Sequence, residues 1–227
     1  MNRLYSLFSI FLLFIFAAQV GSAKTWVEDF EDGHLDAWAV DKTNDRTTWK
    51  AKDGRMDVSI EPRPGGGPQS YLLEFTGFAF RAEKLNVKVT ILEFEKANVG
   101  ILIGQRTFDG NIFRRTYKFV QRGGIWGPTE FPGQQPEIGY DIRKVIEIDF
   151  DKGHFELSSE GEHILEFDEP NLPHIDCLGI VAYASKPPLA HFVLDDFIIS
   201  GPSIPKGNLD VRAKGKAAVL WGELKQK

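Results

Sequence analysis

The chain of 227 residues has one cysteine, Cys177, and no excess of positive charge, since 27 Lys and Arg stand against 32 Asp and Glu for a formal net charge of −5. A lone cysteine closes no intramolecular disulfide, so stability must come from a buried core. Set in the apolar run HIDCLGIVAYAS, Cys177 reads as a small buried hydrophobe and not as a nucleophile. Without a basic footprint for phosphates, the chain is not built as a general nucleic-acid binder. The histidines, His34, His154, His163, His174 and His191, are scattered and form no H-x-x-x-H pair. No Walker loop, dinucleotide fingerprint, G-x-S-x-G elbow or zinc signature is present. Helical periodicity is also missing from residues 24 to 200, and the one long hydrophobic run lies at the start.

That run belongs to a three-part segment: a short basic start, MNR, an apolar stretch from Leu4 to Ala18, and a small-residue end at Gly21 and Ala23. The pattern is that of a secretory signal peptide over residues 1–23, cleaved between Ala23 and Lys24. An apolar stretch of about 15 residues is short of the about 20 needed to cross a bilayer, and no basic stop follows. The expectation is a secreted or periplasmic protein with no membrane span in the mature chain.

What remains reads as strands. After residue 24 the apolar segments are short, rich in β-branched and aromatic residues, and bounded by Gly, Pro, Asp or Asn. Eleven such segments run from TWVEDF (25–30) to HFVLDDFIIS (191–200), including WKAKDGRMDVSI (49–60, turning at Asp53-Gly54), NVGILIGQRTF (98–108) and IFRRTYKFVQ (112–121). Breakers at Asp151-Lys152-Gly153 and Glu160-Gly161-Glu162 predict a three-strand antiparallel meander. Ile146, Ile148 and Phe150 share one face of its first strand, while Glu147, Asp149 and Asp151 share the other. Val87, Val89 and Ile91 likewise oppose Asn86, Lys88 and Thr90. Such alternation belongs to a sheet with one buried and one wet side, so the fold class is an all-β, two-sheet antiparallel sandwich over residues 24–202. Residues 203–227 read as a linker and a short basic tail.

The segments VEDFEDGHLDAWAV (27–40), WKAKDGRMDV (49–58), VKVTILEFEKANVGILIGQR (87–106) and HFVLDDFIISGP (191–202) together resemble concanavalin A-like sandwich domains of the laminin-G-like and 3-keto-disaccharide hydrolase-like kind. In these a first strand near "F-E/D-D-G" pairs close to a last strand near "DDF-x-I". The resemblance implies a jelly-roll fold, a carbohydrate partner and one structural calcium where the chain ends meet. By motif match Asp29, Glu31 and Asp196 would be its side-chain ligands. Regular alternation would turn only one of Asp195 and Asp196 toward such a site.

For carbohydrate the sequence offers Trp126, flanked by glycines in the segment GGIWGPTEFPG (123–133), where an exposed indole can cover the apolar face of a sugar ring. Gln105, Arg106, Arg115 and Tyr117 from the preceding strands supply polar partners; the alternative is that Trp126 folds back as a plug. Arg114, Arg115, Lys118 and Arg122 do not make one patch, because Arg114 and Arg115 face opposite sides of a strand. An enzyme reading rests on Glu147-Ile148-Asp149-Phe150-Asp151, which is similar to the carboxylate strand of laminarinase-like retaining glycosidases but has no glutamate at the acid/base position. Retention requires carboxyls about 5–5.5 Å apart, whereas residues i and i+4 on a strand stand about 13 Å apart. No catalytic residue is therefore assigned. The preferred expectation is an exported, carbohydrate-recognising module, with a glycan-cleaving hydrolase and a structural or protein-interaction domain as competitors.

Overall fold

The breakers in the sequence become hairpins because they adopt the left-handed backbone that tight turns demand. Asp53 and Gly54 have φ of 53° and 71°, Lys152 and Gly153 of 49° and 94°, and Glu160 and Gly161 of 52° and 85°. Positive φ at both central residues matches the turn's twist to that of the flanking strands. The computed structural model describes residues 23–40, 46–62, 69–108, 111–121, 124–130, 144–184 and 189–205. The expected signal peptide, Ala23 apart, and the expected tail beyond Pro205 lie outside the described residues.

Among the described residues fourteen strands, every pair antiparallel, make two sheets. The eight-stranded sheet holds β1 (Lys24–Glu28), β3 (Thr47–Lys52), β4 (Arg55–Ile60), β6 (Lys84–Glu95), β10 (Val145–Asp151), β11 (His154–Ser159), β12 (Glu162–Asp168) and β14 (Ala190–Gly201). Its order is β12-β11-β10-β6-β14-β4-β3, with β1 also pairing β14. The six-stranded sheet holds β2 (Trp38–Val40), β5 (Gln69–Phe75), β7 (Asn98–Gly104), β8 (Thr116–Val120), β9 (Gly124–Trp126) and β13 (Cys177–Ala184), in the order β2-β5-β13-β7-β8-β9. The described residues contain no helix, and so none long and apolar enough to cross a membrane.

Two strands escape sequence reading. β2 and β9 have three residues each, too few for alternation to register, and both are sheet edges. The segment expected as a strand from residue 112 pairs only from Thr116; residues 112–115 form turns.

Between the sheets, Ile146, Ile148 and Phe150 of β10 and Val87, Val89 and Ile91 of β6 meet Ile101, Ile103, Tyr117, Phe119 and Ile180 of the opposing sheet. Phe155 and Phe167 stack at 5.1 Å with 11° between their planes, and Tyr117 and Phe119 close on both. A second apolar cluster lies on the other side of the six-stranded sheet: Leu72, Leu102, Ile112, Val120, Cys177, Val181 and Tyr183. Every residue of β8 and of β13 is buried, so these strands are covered on both faces.

Candidate functional site

The outer face of the six-stranded sheet is where sequence, packing and chemistry converge. Register aligns Glu74 of β5, Gly179 of β13, Leu102 of β7, Lys118 of β8 and Trp126 of β9 in one row across it. Gly100 and Gly104 face the same side, and a Cβ on either would run into a main-chain carbonyl, of Phe119 or of Arg115. The strands approach so closely there that only glycine fits, which leaves the floor low.

Trp126 closes one end of the row. The expected loop around it is in part a strand, β9, whose pairing with β8 sets Trp126 directly opposite Lys118. The indole is 39% exposed and packs edge-to-face on Tyr183, with ring centroids 4.0 Å apart and 71° between the planes. It is neither a buried plug nor a free ring. Tyr183 braces it, which limits the freedom of the ring.

Lys118 stands in the middle of this apolar surface and is only 6% exposed. Burial holds its ammonium below the usual lysine range. Among the described residues no carboxylate pairs with it; its Nζ lies 5.4 Å from the centroid of the Phe113 ring, a cation–π contact. Phe113 and Ile112 come from the segment between β7 and β8 and fold onto the same face. They border a cleft of about 410 Å³ lined also by Ala39, Val40, Leu72 and Glu74. At its polar side, Glu74 is paired with Arg106, Nη2 to Oε1 at 2.5 Å, and the main-chain N–H of Arg106 donates to Asp176 Oδ1 at 2.7 Å. Arg106 and Asp176 in turn edge a second cleft, beside Phe75, Phe78 and Phe80.

Of the residues expected to meet sugar, Trp126 and Arg106 border this face. Tyr117 does not. It is fully buried between the sheets, donating its hydroxyl to Glu169 Oε2 at 2.7 Å, and burial together with that carboxylate drives its pKa far above the usual tyrosine range. The reason is parity: Tyr117 and Phe119 alternate with Lys118, and the aromatics take the core. Gln105 is 4% exposed, its amide Nε2 spent on the carbonyl of His174 at 3.0 Å and on the ring Nδ1 at 3.2 Å. Arg115 precedes β8, where its Nη2 donates to the carbonyl of Asn171 at 3.4 Å. Sequence reading missed Tyr183, Glu74 and Phe113, and it did not mark Lys118 as buried. The available signal was the near-continuous apolar character of NVGILIG, TYKFV and CLGIVAYA, which marks strands buried on both sides. Cys177, inside the second cluster, has its thiol pushed up to about 12 by burial and is inert.

The carboxylates of β10 lie elsewhere, on the outer face of the eight-stranded sheet. Asn86 Nδ2 donates to Glu147 Oε1 and to Asp149 Oδ1, each at 3.0 Å, Lys84 pairs with Asp151 at 3.1 Å, and Lys88 stands 4.0 Å from Glu147. These are cross-strand pairs on a solvated sheet. None of them lines either cleft.

For a cation, β14 has two strands in tandem on one side, β4 beside Ala190–Leu194 and β1 beside Phe197–Gly201. Asp195 and Asp196 occupy the changeover, where register against β6 also slips, so regular alternation does not hold and both are half-buried. Asp29 Oδ1 accepts the main-chain N–H of Glu31 at 3.0 Å, an Asx turn that leads Glu31 to the β3–β4 hairpin tip. A Cβ on Gly54 would sit 2.9 Å from Glu31 Oε1. Gly54 lies two residues beyond the Met56–Leu194 pair, and Asp196 two residues beyond it on the other strand. Among the described residues no three His, Cys, Asp or Glu side chains gather as a metal cluster. Calcium accepts six to eight oxygens, including main-chain carbonyls and water. Glu31 and Asp196 are carboxylates near this changeover of strands.

No protein-family model matches the sequence, nor does any curated protein. Solved structures do match in fold. A GlcNAcα1-4Gal-releasing endo-β-galactosidase from Clostridium perfringens aligns over 83% of this chain at a TM-score of 0.59 and 8% identity; this chain spans only 65% of its length. The catalytic domain of an endo-1,3-β-glucanase (laminarinase) from Thermotoga petrophila aligns over 80% of this chain and 98% of that one, at a TM-score of 0.54 and 10% identity. A protein of unknown function with a galectin-like fold from Bacillus subtilis aligns over 78% and 96%, at 0.53 and 12%. The chain has the β-sandwich fold that these proteins share. At such identities the likeness is one of fold alone.

Proposed function

We propose that this protein is an exported glycan-recognition module whose binding surface is the outer face of the six-stranded sheet. The observation that carries the reading is the half-exposed indole of Trp126, braced edge-on by Tyr183 at the end of a glycine-floored apolar face. An aromatic ring held in place is a platform for the C–H face of a sugar, and the Glu74–Arg106 pair offers hydroxyl partners at the far side of the sheet. The reading is non-catalytic, because the β10 carboxylates are committed to their cross-strand partners. A glycan array followed by calorimetry tests it: Trp126→Ala is expected to weaken binding by about 1–3 kcal/mol, a tenfold to hundredfold change, with the melting temperature nearly kept. Unchanged affinity for a confirmed ligand would end the proposal. Export is tested by sequencing the amino terminus of secreted material, which should begin at Lys24.

A structural calcium held by Glu31 and Asp196, with Asp29 shaping the turn, is the second part of the reading. An ion bound only by the folded state raises stability by RT ln(1 + [L]/Kd). Millimolar calcium is therefore expected to raise the melting temperature over chelator, and Asp196→Ala to remove the difference. Superimposable melting curves would exclude the site.

A further inference from the structure

Lys118 is the one residue of the outer six-stranded face whose chemistry the recognition of a neutral sugar does not use. It is 94% buried, directly opposite Trp126 in the β8–β9 ladder, and flanked in its own row by Leu102. Several described lysines have carboxylates beside them, Lys84 with Asp151, Lys88 with Glu147 and Lys96 with Glu95, and these are solvated as well. Lys118 has only the face of Phe113. Removing an ammonium from water without a counter-charge is costly, and an apolar side chain would fill the same place on this apolar floor at no such cost. The negative charge of the whole chain, −5, gives anions no general attraction to the surface, so a site for one has to be made locally.

We infer that the Trp126–Lys118 pair selects an anionic saccharide, a sugar ring stacked on Trp126 whose carboxylate or sulfate is taken by the ammonium of Lys118. Direct partners in a ladder have Cβ atoms about 4.5–5.5 Å apart. A sugar ring on Trp126 therefore lies beside Lys118. The ammonium, low on the floor beneath Phe113, meets the anion where water is largely excluded, and there a charge-assisted hydrogen bond is strongest. This inference rests on the glycan reading above and narrows it to acidic ligands.

The test is calorimetry on the purified protein with three oligosaccharides of matched length: an oligogalacturonate, a sulfated galactan and a neutral laminari-oligosaccharide. The expected result is that at least one acidic ligand binds, with an affinity that falls as salt is raised. Lys118→Met should then lose about tenfold to hundredfold in affinity for that ligand while melting no lower than the parent. Lys118→Arg should retain most of the binding, and Lys118→Gln provides a second neutral replacement if Met collapses the face. The two acidic arms tell carboxylate from sulfate. Equal or tighter binding of the neutral oligosaccharide, or Lys118→Met without effect beside a damaging Trp126→Ala, would overturn the anionic inference and leave glycan recognition standing. No binding to any of the three would overturn both.

Discussion

The two sheets share a core but treat their outer faces in opposite ways. On the eight-stranded sheet the outward residues are charged and matched across strands: Glu147 faces Lys88, Asp151 faces Lys84, and His154 bonds Asp168 at 2.8 Å. Each pair is at least partly solvated and worth little by itself. On the six-stranded sheet the outward residues are Leu72, Leu102, Val120, Val181 and Tyr183, with Ile112 and Phe113 laid over them, and a solitary lysine among them. Phe113 apart, these residues are buried within the chain, and the braced indole of Trp126 at the rim is left half-exposed. The difference teaches that the carboxylate-rich strand most suggestive of an enzyme in the sequence lies on the solvated face, while the half-exposed Trp126 and the buried Lys118 lie on the other sheet.

The sharpest way to break this comparison is to put the same charge on each outer face. Leu102→Asp buries a carboxylate among aliphatic side chains and is expected to cost more than about 3 kcal/mol or to prevent folding. Thr90→Asp, on the outward side of β6, is expected to stay within about 0.5 kcal/mol of the parent. Equal losses in denaturant titrations would show that the outer faces do not differ as described.

A smaller effect sharpens the view of the shared interior. Tyr117→Phe keeps the ring but strips the buried Glu169 Oε2 of its 2.7 Å donor, and an orphaned buried acceptor costs about 1–3 kcal/mol. Glycan affinity should be unaffected, because the ring is inside the core. A loss of binding without a loss of stability would return Tyr117 to the surface.

The smallest effect is expected on the wet face, and it depends on pH. The hydrogen bond to Asp168, aided by nearby carboxylates, raises the pKa of His154 above its ordinary 6.5. A group whose pKa is higher folded than unfolded adds stability that is fully present below the unfolded pKa and fades as pH rises through the folded one. Relative to His154→Gln, the parent should therefore melt slightly higher near pH 5.5, and the gap should close by about pH 8.5. With the ring 44% exposed the gap is small, and one that widens with pH would contradict the assignment.

The sequence by itself determined the all-β sandwich, the hairpins and the wet face of the eight-stranded sheet, because these follow from local chemistry. Positive φ at Asp-Gly, Lys-Gly and Glu-Gly positions makes turns, and a period of two between Ile146 and Asp151 tells one side of a strand from the other. It also singled out Trp126, as an aromatic among glycines. Only the tertiary structure decided which face each neighbour of Trp126 took. Strands such as TYKFV and CLGIVAYA are apolar on both sides, so alternation cannot say which residues line the core and which the outer face. Pairing with β7 and β9 settled that Tyr117 goes in and Lys118 goes out, and packing across the outer face brought Tyr183 to Trp126. At Asp195 and Asp196 the change of partner strand broke an alternation that the sequence showed as unbroken. Contacts between residues distant in the chain are properties of register and sheet order, and neither is written in any one segment.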